Sequence, residues 1–268
     1  MNLICYISPN DNGTAIIDKV TNTELSLGGG TTSPVYTTTG PFDTEIKCLK
    51  FPISQYSSVG SKEYLDMGSS VVSNINRCKN FTMGFWLNTV GTWGRSSKEN
   101  DMGAIFSAFN TEKNDLLYIY LYSALMEYNR SKSQAGYLMK YYYDTTTKNK
   151  VGWKYYEIYF KLQNDNTYDC NASLDGVMKT NNIDIDEEFY PTGILYNEIH
   201  TNRMRIGRCP TTDDKYNGDS LNIPIYDFFI VDGILHQDNF EKPTTSILNK
   251  FIHNKIYLSK QEFYGLPK

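Results

Sequence analysis

Apolar and polar residues alternate along most of this chain with the period of a strand half-buried in a sheet. Phe81 to Asn88 is the clearest case. Phe81, Met83, Phe85 and Leu87 point one way, and Thr82, Gly84, Trp86 and Asn88 the other. Trp153 to Leu162 follows the same rule, with Tyr156, Ile158, Phe160 and Leu162 on one face. Leu3–Ile7, Cys48–Phe51, Tyr64–Met67, Ala104–Phe109, Ala135–Tyr143, Tyr168–Leu174 and Met204–Ile206 read as further strands. Leu116–Tyr122 also reads as a strand, although the run to Tyr128 carries helical spacing too. In Ile223–Leu235 both faces are apolar: strict alternation sets Ile225, Phe229 and Val231 with Asp227, and Tyr226, Phe228 and Ile230 opposite. Such a strand belongs inside a sandwich.

Turn chemistry separates these runs. Pro9-Asn10-Asp11-Asn12-Gly13, Asp175-Gly176 and Asp232-Gly233 supply the residues that tolerate tight turns and positive φ. Gly28-Gly29-Gly30 is followed by neither Lys-Ser, Lys-Thr nor a helical pattern, so it reads as a loop rather than a phosphate cradle. After Phe240 the period changes. Pro243 opens a stretch in which Ile247, Leu248, Phe251 and Ile252 fall at helical spacing, predicting one short helix packed on the body. About ten short strands and a late helix predict an all-β sandwich of two antiparallel sheets. No change of composition marks a linker in the 268 residues, so the expectation is one unit over residues 1–240, with residues 241–268 as a helix and tail on the same domain.

Composition narrows the functions. The net charge is −4 and the basic residues are scattered, which argues against a nucleic-acid partner. No apolar run approaches the roughly 18 residues of a membrane span, and Met1–Asn10 lacks the basic and apolar regions of a signal peptide. Cys5, Cys48, Cys78, Cys170 and Cys209 form an odd set without C-x-x-C spacing, so buried free thiols are expected, not a disulfide framework or a zinc site. The sequons at Asn80 and Asn171 then have no glycosylation context. The 22 tyrosines suit both pleated surfaces and binding faces.

Several segments resemble, in order, the laminin-G-like, concanavalin A-like jelly-roll domains. Leu3–Ile7 with its Asn/Asp/Gly turn resembles the first strand; Cys48–Phe51 and Tyr64–Met67 resemble the next pair. Phe81-Thr82-Met83-Gly84-Phe85-Trp86 is the most specific match. Trp153–Ile158, Ser173-Leu174-Asp175-Gly176, Arg205-Ile206-Gly207 and Ile225–Leu235 follow. The tyrosine-rich segments around residues 116–150 and the tail after Phe240 depart from the pattern. The resemblance implies a concanavalin A-like jelly roll, and with it either a lectin or a laminarinase-type glycoside hydrolase.

The enzyme alternative rests on Asp184, Asp186 and Glu188, whose spacing by two would align three carboxylates on a strand face. The segment lacks strand character, opens on Asp where the hydrolases have Glu, and follows the Asp175-Gly176 turn, so a solvated acidic loop is the stronger reading. His200, His236 and His253 are dispersed and define no triad by spacing. The expectation is therefore a non-catalytic module.

A saccharide site needs an exposed aromatic with polar groups beside it. Trp93, on a loop between Gly91 and Gly94, is the leading candidate ligand contact; Tyr141 and Tyr143 are the next, Tyr142 facing away from them. Packing on neighbouring loops or a protein partner is the competing role for all three. Calcium is the cofactor to test, with Asp11, Asp213 and Asp214 as its candidate ligands in turns; Asx turns without metal are the competing reading and weigh more. The leading expectation is a carbohydrate-binding or structural module of a phage virion, a capsid decoration or tail appendage made in the host cytoplasm. Its partners would be a glycan or polysaccharide and other virion proteins or its own copies. A bacterial secreted or cell-surface lectin is the alternative setting.

Overall fold

The structure is a computed structural model that describes residues 2–9, 14–29, 33–41, 45–51, 63–89, 102–110, 115–122, 125–130, 134–140, 152–162, 168–174, 177–178, 203–208 and 223–233. The early strands are β1 (Asn2–Pro9), β2 (Ile16–Asp18), β3 (Thr23–Glu24), β4 (Leu27–Gly28), β5 (Val35–Thr39), β6 (Glu45–Leu49) and β7 (Tyr64–Asp66). A helix, α1 (Gly68–Ile75), precedes β8 (Asn80–Thr89), β9 (Met102–Asn110), β10 (Asp115–Tyr122), β11 (Leu125–Arg130) and β12 (Gln134–Lys140). The rest are β13 (Gly152–Leu162), β14 (Tyr168–Leu174), β15 (Val177–Met178), β16 (Arg203–Ile206) and β17 (Ile225–Asp232).

Two antiparallel sheets face each other. Among the described residues the larger has ten strands in the order β15-β14-β13-β8-β17-β1-β2-β3, with the β5–β6 hairpin branching from β17. The smaller has seven, in the order β12-β11-β10-β9-β16-β7-β4. The protein is thus an all-β sandwich. Met83, Phe85, Leu87, Tyr156, Ile158 and Phe160 of the larger sheet meet Leu65, Phe106, Ile119, Met204 and Ile206 of the smaller in one buried core. The period-two readings of β8 and β13 therefore hold. The run with two possible periods, Leu116–Tyr128, is a β10–β11 hairpin registered from Leu117↔Arg130 to Tyr122↔Leu125.

Three local readings change. The alternation proposed for β17 breaks at Asp227, whose φ is +59°, while Tyr226 pairs with Trp86 and Phe229 with Gly84. Three steps on β17 oppose two on β8, which is a β-bulge, and Asp is among the few residues that adopt this left-handed backbone at modest cost. Ile225, Phe228 and Ile230 consequently face the core, and Tyr226, Phe229 and Val231 face outward. The second change is α1, which periodicity did not announce. It is eight residues long, Ser- and Val-rich and without a side-chain cap hydrogen bond, and it is held by burying Val71, Val72 and Ile75. Third, Gly28 lies in β4 and not in a loop. The helix expected after Pro243 lies outside the described residues.

Cys5 and Cys48 are buried free thiols, and the half-buried Cys78 thiol donates to the Asn74 carbonyl at 3.3 Å. Burial pushes the Cys48 thiol up to about 12 from 9.0, with Lys50 opposing, and raises Cys5 in the same direction. Raised folded-state values mean that the neutral thiol is favoured by folding, so this stability is intact below pH 9 and is lost as pH climbs towards 12. Urea midpoints followed over that window should fall more steeply for the wild type than for Cys48→Ala.

Candidate functional site

The outward face of the ten-stranded sheet carries a second buried cluster: Tyr6, Cys48, Trp86, Tyr155, Tyr226, Phe229 and Val231, with Trp153 and Ile46 packed against it. Its order follows from register. Tyr155, Trp86 and Tyr226 form one row across β13, β8 and β17, and Trp86 and Tyr155 have ring centroids 5.2 Å apart. In the next row Gly84 is flanked by Glu157 and Phe229, and a side chain at Gly84 would collide with the Phe229 ring. That glycine leaves the space the Phe229 ring occupies.

Two carboxylates are buried in this layer. Glu157 is 1% exposed and Asp227 2%. The Tyr155 hydroxyl donates to Glu157 Oε1 at 2.7 Å, and the Tyr6 hydroxyl donates to Asp227 Oδ1. A buried carboxyl group is costly without hydrogen-bond partners, and each tyrosine hydroxyl supplies one. A third, Asp18, is fully buried and accepts from the backbone N–H groups of Tyr6 (3.0 Å) and Val20 (3.1 Å) and from the Thr21 hydroxyl (2.7 Å). It pins the turn between β2 and β3 as an Asx turn does and ties it to β1.

The cluster supports an exposed rim, the β5–β6 hairpin. Trp153 Nε1 donates to the Thr39 carbonyl at 2.8 Å, and its ring meets Tyr226 edge-on at 6.2 Å. At the other end of β5 the Cys48 thiol donates to the Tyr36 carbonyl at 3.3 Å, while Lys50 N–H donates to the Pro34 carbonyl at 2.7 Å. Between these anchors Tyr36 is 42% exposed. Lys50 Nζ sits 4.8 Å from the centroid of the Tyr36 ring, within cation–π range. Tyr36 pairs with Cys48 and Thr38 with Ile46, so the Thr38 hydroxyl shares the tyrosine's side of the hairpin. An aromatic ring, an ammonium donor and a hydroxyl thus share one side of the hairpin. The chemistry available is stacking with directional hydrogen bonding.

With that geometry in place, three solved structures of similar fold can be set beside the chain. The binding domain of botulinum neurotoxin serotype G superposes with a TM-score of 0.54 at 13% identity, over 93% of this chain and 51% of that one. Botulinum neurotoxin type C, whose cell entry depends on interaction with two ganglioside molecules, gives 0.53 at 16%, over 95% and 51%. The binding domain of Paraclostridial Mosquitocidal Protein 1 gives 0.50 at 15%, over 99% and 55%. At such identities the likeness is one of fold, and the chain spans about half the length of these domains. No family model matches the sequence, and no curated protein does.

Trp93, Tyr141 and Tyr143, the aromatics singled out from the sequence, lie outside the described residues, as do Asp11, Asp213 and Asp214 and the acidic triplet Asp184, Asp186 and Glu188. Among the described residues no three His, Cys, Asp or Glu side chains are grouped to hold a metal, and no helix is long and apolar enough to cross a membrane. Tyr36 escaped the sequence reading because its segment, Val35–Thr39, is short and Thr-rich. Its one signal was an aromatic set alone among threonines.

Proposed function

We propose that this chain is a non-catalytic saccharide-binding module whose described contact surface is centred on Tyr36 and Lys50. The observation that carries the proposal is the exposed Tyr36 ring, held on a hairpin clamped by Cys48 and Trp153 with a lysine over it. Pyranose rings present C–H faces that stack on aromatics and hydroxyls that take donors such as an ammonium. The fold adds support, since similar sandwiches occur in toxin binding domains and one such toxin depends on gangliosides. Trp93, Tyr141 and Tyr143 stay in the proposal as further contacts, and Asp11, Asp213 and Asp214 as calcium ligands. A virion setting, as capsid decoration or tail appendage, is part of the same proposal and rests on the sequence reading.

The test is a glycan array probed by the wild type, Tyr36→Ala and Trp93→Ala, with calcium and then with chelator. Tyr36→Ala should weaken binding about five- to tenfold, the scale of one lost aromatic contact, with a thermal midpoint close to wild type, as expected for an exposed position. Loss of binding in chelator would transfer the site to the aspartate turns. Turnover of a β-glucan, abolished by Glu188→Gln, would replace the module with the hydrolase.

A further inference from the structure

Lys50 is fixed to Tyr36 from two directions. Its chain neighbours Leu49 and Phe51 are buried in the core between the sheets. Its own N–H donates to the Pro34 carbonyl at 2.7 Å, two residues along β5 from the Tyr36–Cys48 pair. The lysine is therefore a diagonal cross-strand neighbour of the tyrosine, a separation that a long side chain bridges. The ammonium uses that reach to sit over the ring, with Nζ 4.8 Å from the centroid. Its field also reaches Cys48: burial raises that thiol, and Lys50 opposes the rise. Glu45, the acidic residue of β6, pairs with Thr39 at the far end of the hairpin and shares the opposite face with Lys47 and Leu49. Among the described residues no carboxylate is paired with Lys50.

This placement selects what can bind. A neutral pyranose stacking on the ring face that carries Nζ must push the ammonium aside and forfeit the cation–π contact. A carboxylate or sulfate approaches the ammonium from the side away from the ring and keeps that contact. The lysine is also ordered in advance. A free lysine side chain has much rotamer freedom to lose, and one already held on a ring gives up less of it when an anion arrives. The body of the sugar then has the Thr38 hydroxyl to bond. That group lies on the same side of β5 and about 7 Å further along the strand.

We propose that the Tyr36–Lys50 surface selects acidic saccharides, a carboxylate or sulfate of the sugar pairing with the Lys50 ammonium that the Tyr36 ring holds in place. The inference rests on the saccharide-binding reading and adds the ligand class to it.

The experiment is an NMR titration of the full chain with two matched pairs, trigalacturonate against its neutral methyl ester and 6′-sulfated lactose against lactose, with sodium sulfate as the free anion. At least one acidic member should bind about three- to fivefold tighter than its neutral partner, the scale of a solvent-screened charge pair. The pair that shows the preference identifies carboxylate or sulfate as the group. Lys50→Gln should erase the preference while leaving neutral-sugar affinity within about twofold and the thermal midpoint near wild type. Lys50→Arg keeps the charge and stacks on aromatic faces, so it should keep the preference. Raising the salt should weaken the acidic sugars and leave the neutral ones unchanged. A preference that survives Lys50→Gln would overturn the role of Lys50, and sodium sulfate binding as tightly as the acidic sugars would overturn the saccharide assignment. Equal affinity within both pairs, with all binding weakened by Tyr36→Ala, would sink this inference and spare the proposed function; no response to any sugar would sink both.

Discussion

Phe228→Ala is expected to destabilise the sandwich by about 3–5 kcal/mol, the range for removing a buried aromatic and leaving its cavity. Phe228 is 1% exposed and stands where the two sheets meet. Its ring is stacked at 5.9 Å from Phe85 in its own sheet and at 6.3 Å from Phe106 in the facing one. Phe85 in turn stacks on Tyr156 at 5.7 Å. Truncation therefore breaks a column of rings running from β13 to β9, and rigid sheets cannot close fully over the gap. Phe229→Ala removes the same atoms from the outward cluster and leaves the inter-sheet column whole. Urea denaturation of the two variants separates the faces: Phe228→Ala should show the larger loss. Equal losses would mean that the bulge at Asp227 does not direct Phe228 inward.

Gly207→Ala is the second large effect, expected at about 2–5 kcal/mol. Two costs combine. Gly207 has φ of +94°, where an L-residue is strained by about 1–2 kcal/mol. Its added Cβ would also meet the Phe51 ring, which is fully buried, and overpacking of this kind costs about 1–3 kcal/mol. Thermal unfolding measures the stability loss.

Much of the sandwich is legible from residue order because a strand in a two-layer fold repeats its environment every second residue. Phe81, Met83, Phe85 and Leu87 declare their face by alternation alone. Tyr156, Ile158 and Phe160 do the same, and the two runs pair directly as Phe81↔Phe160, Met83↔Ile158 and Phe85↔Tyr156. Asp232-Gly233 is equally readable as a turn: Gly233 has φ of +111° and its N–H donates to the Asn80 carbonyl at 2.8 Å. Local chemistry suffices for such features, since the residue types carry both the period and the backbone freedom.

Other features belong to the tertiary structure. Nothing in Ile225-Tyr226-Asp227-Phe228 announces that Asp227 turns left-handed; that conformation is held where β8 on one side and β1 on the other pin the strand and Tyr6 reaches Asp227 from β1. A single extra residue then reverses the two faces beyond it, because side-chain direction has period two. Likewise Gly28, Tyr64 and Arg205 are separated in sequence and become one stack only when β4, β7 and β16 lie side by side. Tyr36 is similar in composition to many buried tyrosines of this chain, and its exposure follows from the hairpin branching off the edge of β17's pairing. Alternation along the chain therefore determined that this protein is a sandwich and which residues fill its centre. Which aromatic meets solvent and which arginine is held flat were decided by contacts between strands distant in sequence, which a one-dimensional pattern does not encode.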